Sequence, residues 1–111
     1  MPIIHFCIRP HYDSGWFDVS VDTTYTLTHN FGKHPCNIVV LYRENETYTN
    51  FAYMEYQYDP SGKSNGANWA ANENEIIIHT APHAINPIFA AQLGAGSGNV
   101  TNGQFRVLAW K

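Results

Sequence analysis

Residues 17–35, FDVSVDTTYTLTHNFGKHP, carry the clearest pattern in the chain. Phe17, Val19 and Val21 alternate with Asp18, Ser20 and Asp22; Tyr25, Leu27 and His29 alternate with Thr24, Thr26, Thr28 and Asn30. A period of two sends successive side chains to opposite faces, which is the mark of half-buried strands. The alternation predicts strands over 16–21 and 24–30, joined around Asp22-Thr23 and stopped by Asn30-Phe31-Gly32 and Pro35. Further strands are predicted over 2–9, 36–43, 51–58, 74–80 and 104–110, with a short one over 67–71 carrying Trp69. His11 to Gly15 reads as a turn, 44–50 as a polar connection, and DPSGKSNG, residues 59–66, as a turn cluster. Between 81 and 103, Pro87 to Leu93 has the Pro start and Gly94 stop of a helical turn or two, followed by a Gly-rich loop. Frequent turns between short strands predict an antiparallel β-sandwich of about six to eight strands, with 1–111 as a single domain.

Three of these segments break the alternation. Ile38 to Tyr42 are all apolar or aromatic, Ile76 to Ile78 are all Ile, and 105–110 places Phe105, Val107 and Ala109 on one face with Leu108 and Trp110 on the other. Strands apolar on both sides are normally covered on both sides. A small two-layer sandwich covers one face of each sheet, and the chain offers no long helix for the other. The pattern therefore predicts a neighbouring subunit, with a fold-back of 81–103 as the alternative cover.

Composition narrows the setting. Aromatic residues make up 14% and charged residues only 14%, against roughly 25% charged in an average soluble chain. That balance excludes disorder. Six Lys and Arg are scattered in a chain of formal charge −3, so the clustered cationic footprint of a nucleic-acid binder is missing. No apolar run is long enough to insert in a membrane as a helix. MPIIHFCIRPHYD lacks the cationic start and long apolar segment of a secretory signal, so a protein acting outside the cell would leave by lysis or within a particle. Cys7 and Cys36 each sit in an apolar strand-like run, where a buried thiol behaves as a small hydrophobe; whether they pair stays open.

Candidate chemistry is sparse. His79 and His83, and His29 and His34, form pairs that sit on no predicted helix, and no Cys, His and carboxylate set has zinc-like spacing, so neither metal nor cofactor is expected. No serine lies in a nucleophile turn, and Gly94 to Gly98 lacks the Lys-Ser/Thr ending of a phosphate loop. The carboxylates form no recognisable catalytic pair, so no catalytic residue is assigned. Sugar recognition fits better: rings cover the apolar face of a sugar, and Asn, Asp, His and Arg bond its hydroxyls. Trp69 with Asn68, beside the turn at Gly66, is the leading pair.

The segment SGWFDVSVDTTYTLTHNFGKHPCNIVVLYRENE, residues 14–46, resembles one recurrent in small phage virion and tail-fibre domains that look like the H-type lectin family. Gly15-Trp16, the alternating strand, His29-Asn30-Phe31-Gly32, Pro35 and the closing strand Phe105 to Trp110 carry the likeness. The resemblance implies a homotrimeric sandwich in a virion, made in the host cytoplasm, whose partners are its own copies, other virion proteins and a host-surface glycan. The family binds N-acetylgalactosamine-like sugars between subunits. Its loop after the Gly-Trp strand corresponds here to Ser20, Asp22 and Thr23, and its aromatic-His pair has no counterpart near 68–80. The alternative implied by that departure is a structural capsid or tail protein without a sugar site. A hydrolase of surface polysaccharide is a third class.

Overall fold

The computed structural model describes residues 8–48, 51–53, 57–58, 62–86 and 99–111. Among them the chain forms strands β1 (Tyr12–Asp13), β2 (Phe17–Ser20), β3 (Thr24–Thr28), β4 (Asn37–Arg43), β5 (Phe51–Tyr53), β6 (Gln57–Tyr58), β7 (Ser64–Asn65), β8 (Ala67–Ala71), β9 (Glu75–Thr80) and β10 (Asn102–Trp110), and no helix. One antiparallel sheet runs β1-β10-β4-β5, with β2 also on β10; a second runs β3-β9-β8; β6 and β7 form a ribbon. The two larger sheets face each other across one core. Val19, Val40, Tyr42, Phe105, Val107 and Ala109 come from the first sheet, Ala67, Ile76 and Ile78 from the second, and Ile85 from the connection after β9. The Phe17 and Tyr25 rings, 5.8 Å apart, close one end. The fold is thus all-β, antiparallel and sandwich-like, as the alternation predicts.

The central strand is β10, which pairs with β4 along one side and with β1 and then β2 along the other. Between β1 and β2 the partner chain leaves the ladder at Ser14 to Trp16, turning through Gly15 at φ 69°. Ser14 fills the gap: its N–H donates to Val107 O at 3.0 Å and its Oγ accepts from Val107 N at 2.8 Å. Beside it Arg106 grips Asp13 with a two-pronged hydrogen bond, Nε to Oδ1 at 2.9 Å and Nη2 to Oδ2. The Arg106 hydrogen bonds hold the Asp13 carboxyl below its usual range, and Asp13 raises Arg106 in return.

Several expectations change. The turn predicted over His11 to Gly15 contains β1, a two-residue strand stabilised only by its neighbour β10. Asn102 and Gly103 belong to β10 rather than to the preceding loop. Gly103 is there for space: a Cβ would sit 2.8 Å from Ile85 Cδ1 and 3.2 Å from Arg43 O. Cys36 precedes β4 and is exposed, not buried; its free thiol donates to Lys111 O at 2.9 Å. The predicted strand 2–9 (residues 1–7, with Cys7) and the helical turn over Pro87 to Leu93 lie outside the described residues.

The two-sided apolar strands resolve into alternation. In β4, Val40 and Tyr42 are buried while Val39 and Leu41 are half-buried; in β10, Leu108 and Trp110 are half-buried opposite buried Val107 and Ala109. Register sets Leu108 beside Val39 and Arg106 beside Leu41, so the outer face of this sheet carries a contiguous apolar strip. In β9, Ile76 and Ile78 are fully buried, but Ile77 points outward and is 40% exposed.

Candidate functional site

The β2–β3 turn and β9 build a polar corner. Asp22 sits at the tip of the turn with φ 49°, a left-handed conformation that Asp tolerates better than most residues. Its N–H donates to Ala81 O at 3.1 Å. The fully buried Thr80 holds the turn from below: its Oγ1 donates to Ser20 O at 2.6 Å and accepts from Thr23 N at 2.9 Å. So fixed, Asp22 Oδ1 lies 3.3 Å from His79 Nε2. The other ring nitrogen, Nδ1, is 2.8 Å from Thr24 Oγ1. A neutral imidazole protonated on Nε2 satisfies both contacts, donating to Asp22 and accepting from Thr24.

Register extends the corner. Thr24 lies opposite His79 on one side of β9, and Asn68 lies opposite His79 on the other. The same outward row of the sheet continues through Thr26, Ile77 and Ala70. Asn68, Trp69, Ala70, Ile77 and His79 surround a shallow depression of about 210 Å³ floored by apolar atoms.

Trp69 belongs to two places. Along β8 it falls in the row of Ala67 and Ala71, opposite buried Ile78, whereas Asn68 falls in the opposite row. β8 is the edge strand of its sheet among the described residues, so the ring is 46% exposed instead of enclosed. It walls the outer depression on one side. On the other it walls a cleft of about 290 Å³ at the seam between the sheets, lined also by His34, Pro35, Cys36, Asn37, Ile38 and Ala71.

No protein-family model matches this chain, and no curated protein matches it significantly.

The sequence candidates therefore divide. Asp22 and Asn68 meet at His79, Trp69 borders the same depression, and all three are exposed. Ser20 and Thr23 serve the turn: Ser20 Oγ donates to Asn102 Oδ1 at 2.7 Å, and Thr23 Oγ1 donates to Val21 O at 2.8 Å. Sequence reading missed His79 as the link, because it and Asp22 are distant in the chain and meet only through the Thr24–His79 register. His29, by contrast, is structural. It is buried, its Nε2 is 3.0 Å from Asn72 O, and its Nδ1 accepts from Phe31 N at 3.0 Å. Trp16 lies under the Arg43 guanidinium, 4.1 Å from its ring centre. Among the described residues no three His, Cys, Asp or Glu side chains cluster as a metal site.

Proposed function

We propose that this domain recognises a host-surface glycan, as part of a tail fibre or baseplate of a phage-like particle, and that it binds without catalysing a reaction. The observation that carries the reading is the grouping of His79, Asn68 and Trp69 around a depression with Ile77 and Ala70, with Asp22 behind it against the His79 ring. A sugar ring needs an apolar platform and directional polar partners for its hydroxyls. Here Ile77, Ala70 and the indole supply the first. The imidazole and amide, carried on β9 and β8, supply the second, with the Asp22 carboxylate of the β2–β3 turn against the imidazole. The Thr24–His79–Asp22 chain orders the imidazole for that purpose.

Assembly is the second part of the proposal. The half-buried strip Val39, Leu41 and Leu108 on the outer face of the larger sheet fits contact with further copies, and we read the assembly as a homotrimer. The same strip equally favours contact with other virion proteins, which is the basis for a second reading as a capsid or tail component without a sugar site.

A glycan array and host-cell binding assay on the isolated protein test the function. Trp69→Ala should lower glycan affinity roughly 30-fold, the loss of about 2 kcal/mol typical of an anchoring aromatic. The melting temperature should hold, since the ring is outside the core. A wild-type protein that binds neither glycans nor host cells but incorporates into particles would establish the structural reading. A Trp69→Ala protein that fails to fold would remove Trp69 from the site.

A further inference from the structure

We infer that the ligand is a linear oligosaccharide that crosses the β8 edge, gripping both sides of Trp69, and not a single terminal sugar; this rests on the glycan reading above. The outer depression and the seam cleft share Trp69 as a wall. The indole thus stands between two hollows of about 210 and 290 Å³. A ligand confined to one side would meet only one of the two hollows that the indole borders.

The crest between them suits a passing chain. The bonds Asn72 N to Glu75 O at 2.9 Å and Ala81 N to Gly66 O at 2.7 Å fix the phase of the β8–β9 ladder. They make Asn68–His79 and Ala70–Ile77 the closely bonded pairs. The N–H and C=O of Trp69 then point away from β9, over what is the sheet edge among the described residues, as one donor and one acceptor for hydroxyls. Ala67, Ala70 and Ala71 flank the indole with small side chains that leave the backbone accessible. Below the crest, the His34 and Asn37 side chains line the cleft and make no hydrogen bond among the described residues. They contrast with Ser20 and Thr23, whose hydroxyls are engaged within the turn. The seam cleft thus has the composition of a subsite: an indole wall, apolar lining from Pro35, Ile38 and Ala71, and polar groups without hydrogen bonds among the described residues.

Cys36 provides a reporter, because its exposed thiol lies in the cleft and not in the outer depression. The test uses the intact protein on an array of linear glucan, galactan, N-acetylglucosamine and N-acetylgalactosamine series, each running from monosaccharide to hexasaccharide. N-ethylmaleimide alkylation of Cys36 is followed by peptide mass spectrometry with each binder present. The expected result is an affinity about tenfold higher for a trisaccharide than for its monosaccharide, the worth of one or two added hydrogen bonds. The longer ligand should slow Cys36 alkylation while the monosaccharide does not. His34→Ala and Asn37→Ala should erase the gain with length. Length-independent binding with unchanged Cys36 reactivity overturns the inference and leaves the glycan reading standing. Absence of binding at every length overturns both.

Discussion

The hydroxyl of Thr80 decides whether Asp22 stands where His79 can reach it. Thr80→Val keeps the shape of the side chain and removes that hydroxyl. In the native structure Oγ1 donates to Ser20 O at 2.6 Å and accepts from Thr23 N at 2.9 Å. Valine strands one backbone acceptor and one donor. A buried group left unpaired costs about 1–3 kcal/mol; Ser20 and Thr23 are only half-buried, so water recovers part of the loss and about 2 kcal/mol in total is expected. For a domain near this size that corresponds to a melting-temperature drop of about 10 °C. Thr80→Ser retains the hydroxyl and loses one methyl, about 0.8 kcal/mol, so the order of stability should be wild type, Ser, Val. Thermal unfolding followed by far-ultraviolet circular dichroism gives the ranking, and the imidazole NMR signals of His79 should report a loosened Asp22 contact in the Val variant. A Val variant melting within about 2 °C of wild type would refute the argument. The turn would then be held by its other bonds, among them Asp22 N to Ala81 O and Val21 N to Thr101 O, both 3.1 Å, Thr80 N to Thr23 O at 3.0 Å and Thr23 Oγ1 to Val21 O at 2.8 Å.

Gly103→Ala should lower the urea midpoint by the equivalent of about 1–3 kcal/mol, the usual range for overpacking, because Arg43 O and the buried Tyr42 ring bound the space; an unchanged midpoint would mean that β10 can shift. Leu108→Asp should dissociate the proposed trimer in light scattering, and a wild type that is monomeric at micromolar concentration would remove the trimer from the reading. Asp13→Asn should cost no more than about 1 kcal/mol at neutral pH, since the Asp13–Arg106 pair is more than a third exposed. Its folded-state pKa is depressed, so the contribution is full above the unfolded value of about 3.9 and fades as pH falls through the lowered one. The Asn variant should therefore lose stability less steeply in acid than wild type, and identical slopes in acid denaturation would contradict the assignment.

The alternating segments were legible because their pleat has one buried and one open face: Val19, Tyr25 and Leu27 all point to the core as the period of two requires. β1 was not legible, since two residues have no period and pair only because β10 is already present. Gly103 read as loop chemistry, yet its role is to leave room under Ile85, which no local pattern encodes. At the site, Trp69 and Asn68 looked like partners because they are neighbours in sequence. The strand that carries them sends adjacent side chains to opposite sides, so the ring reaches the outer depression only by standing at an edge. The Asp22–His79 contact depends on register between β3 and β9, information that lies in the packed core and not near either residue.

The place of β10 also dictates an order of assembly. Its residues pair with Tyr12, Phe17 and Val40, far upstream in the chain, whereas β8 and β9 meet across a short connection, with Ala71 beside Ile76. Contacts that close long loops form slowly, and local ones form first. The hairpin bearing Asn68, Trp69 and His79 is thus available as an early nucleus, while β1, β2 and β4 have no shared partner until residue 110 has been synthesised. A nascent chain must leave β1 and β2, and the β10 side of β4, without that partner until then, which makes the interval before β10 arrives one of exposure to aggregation and to chaperones.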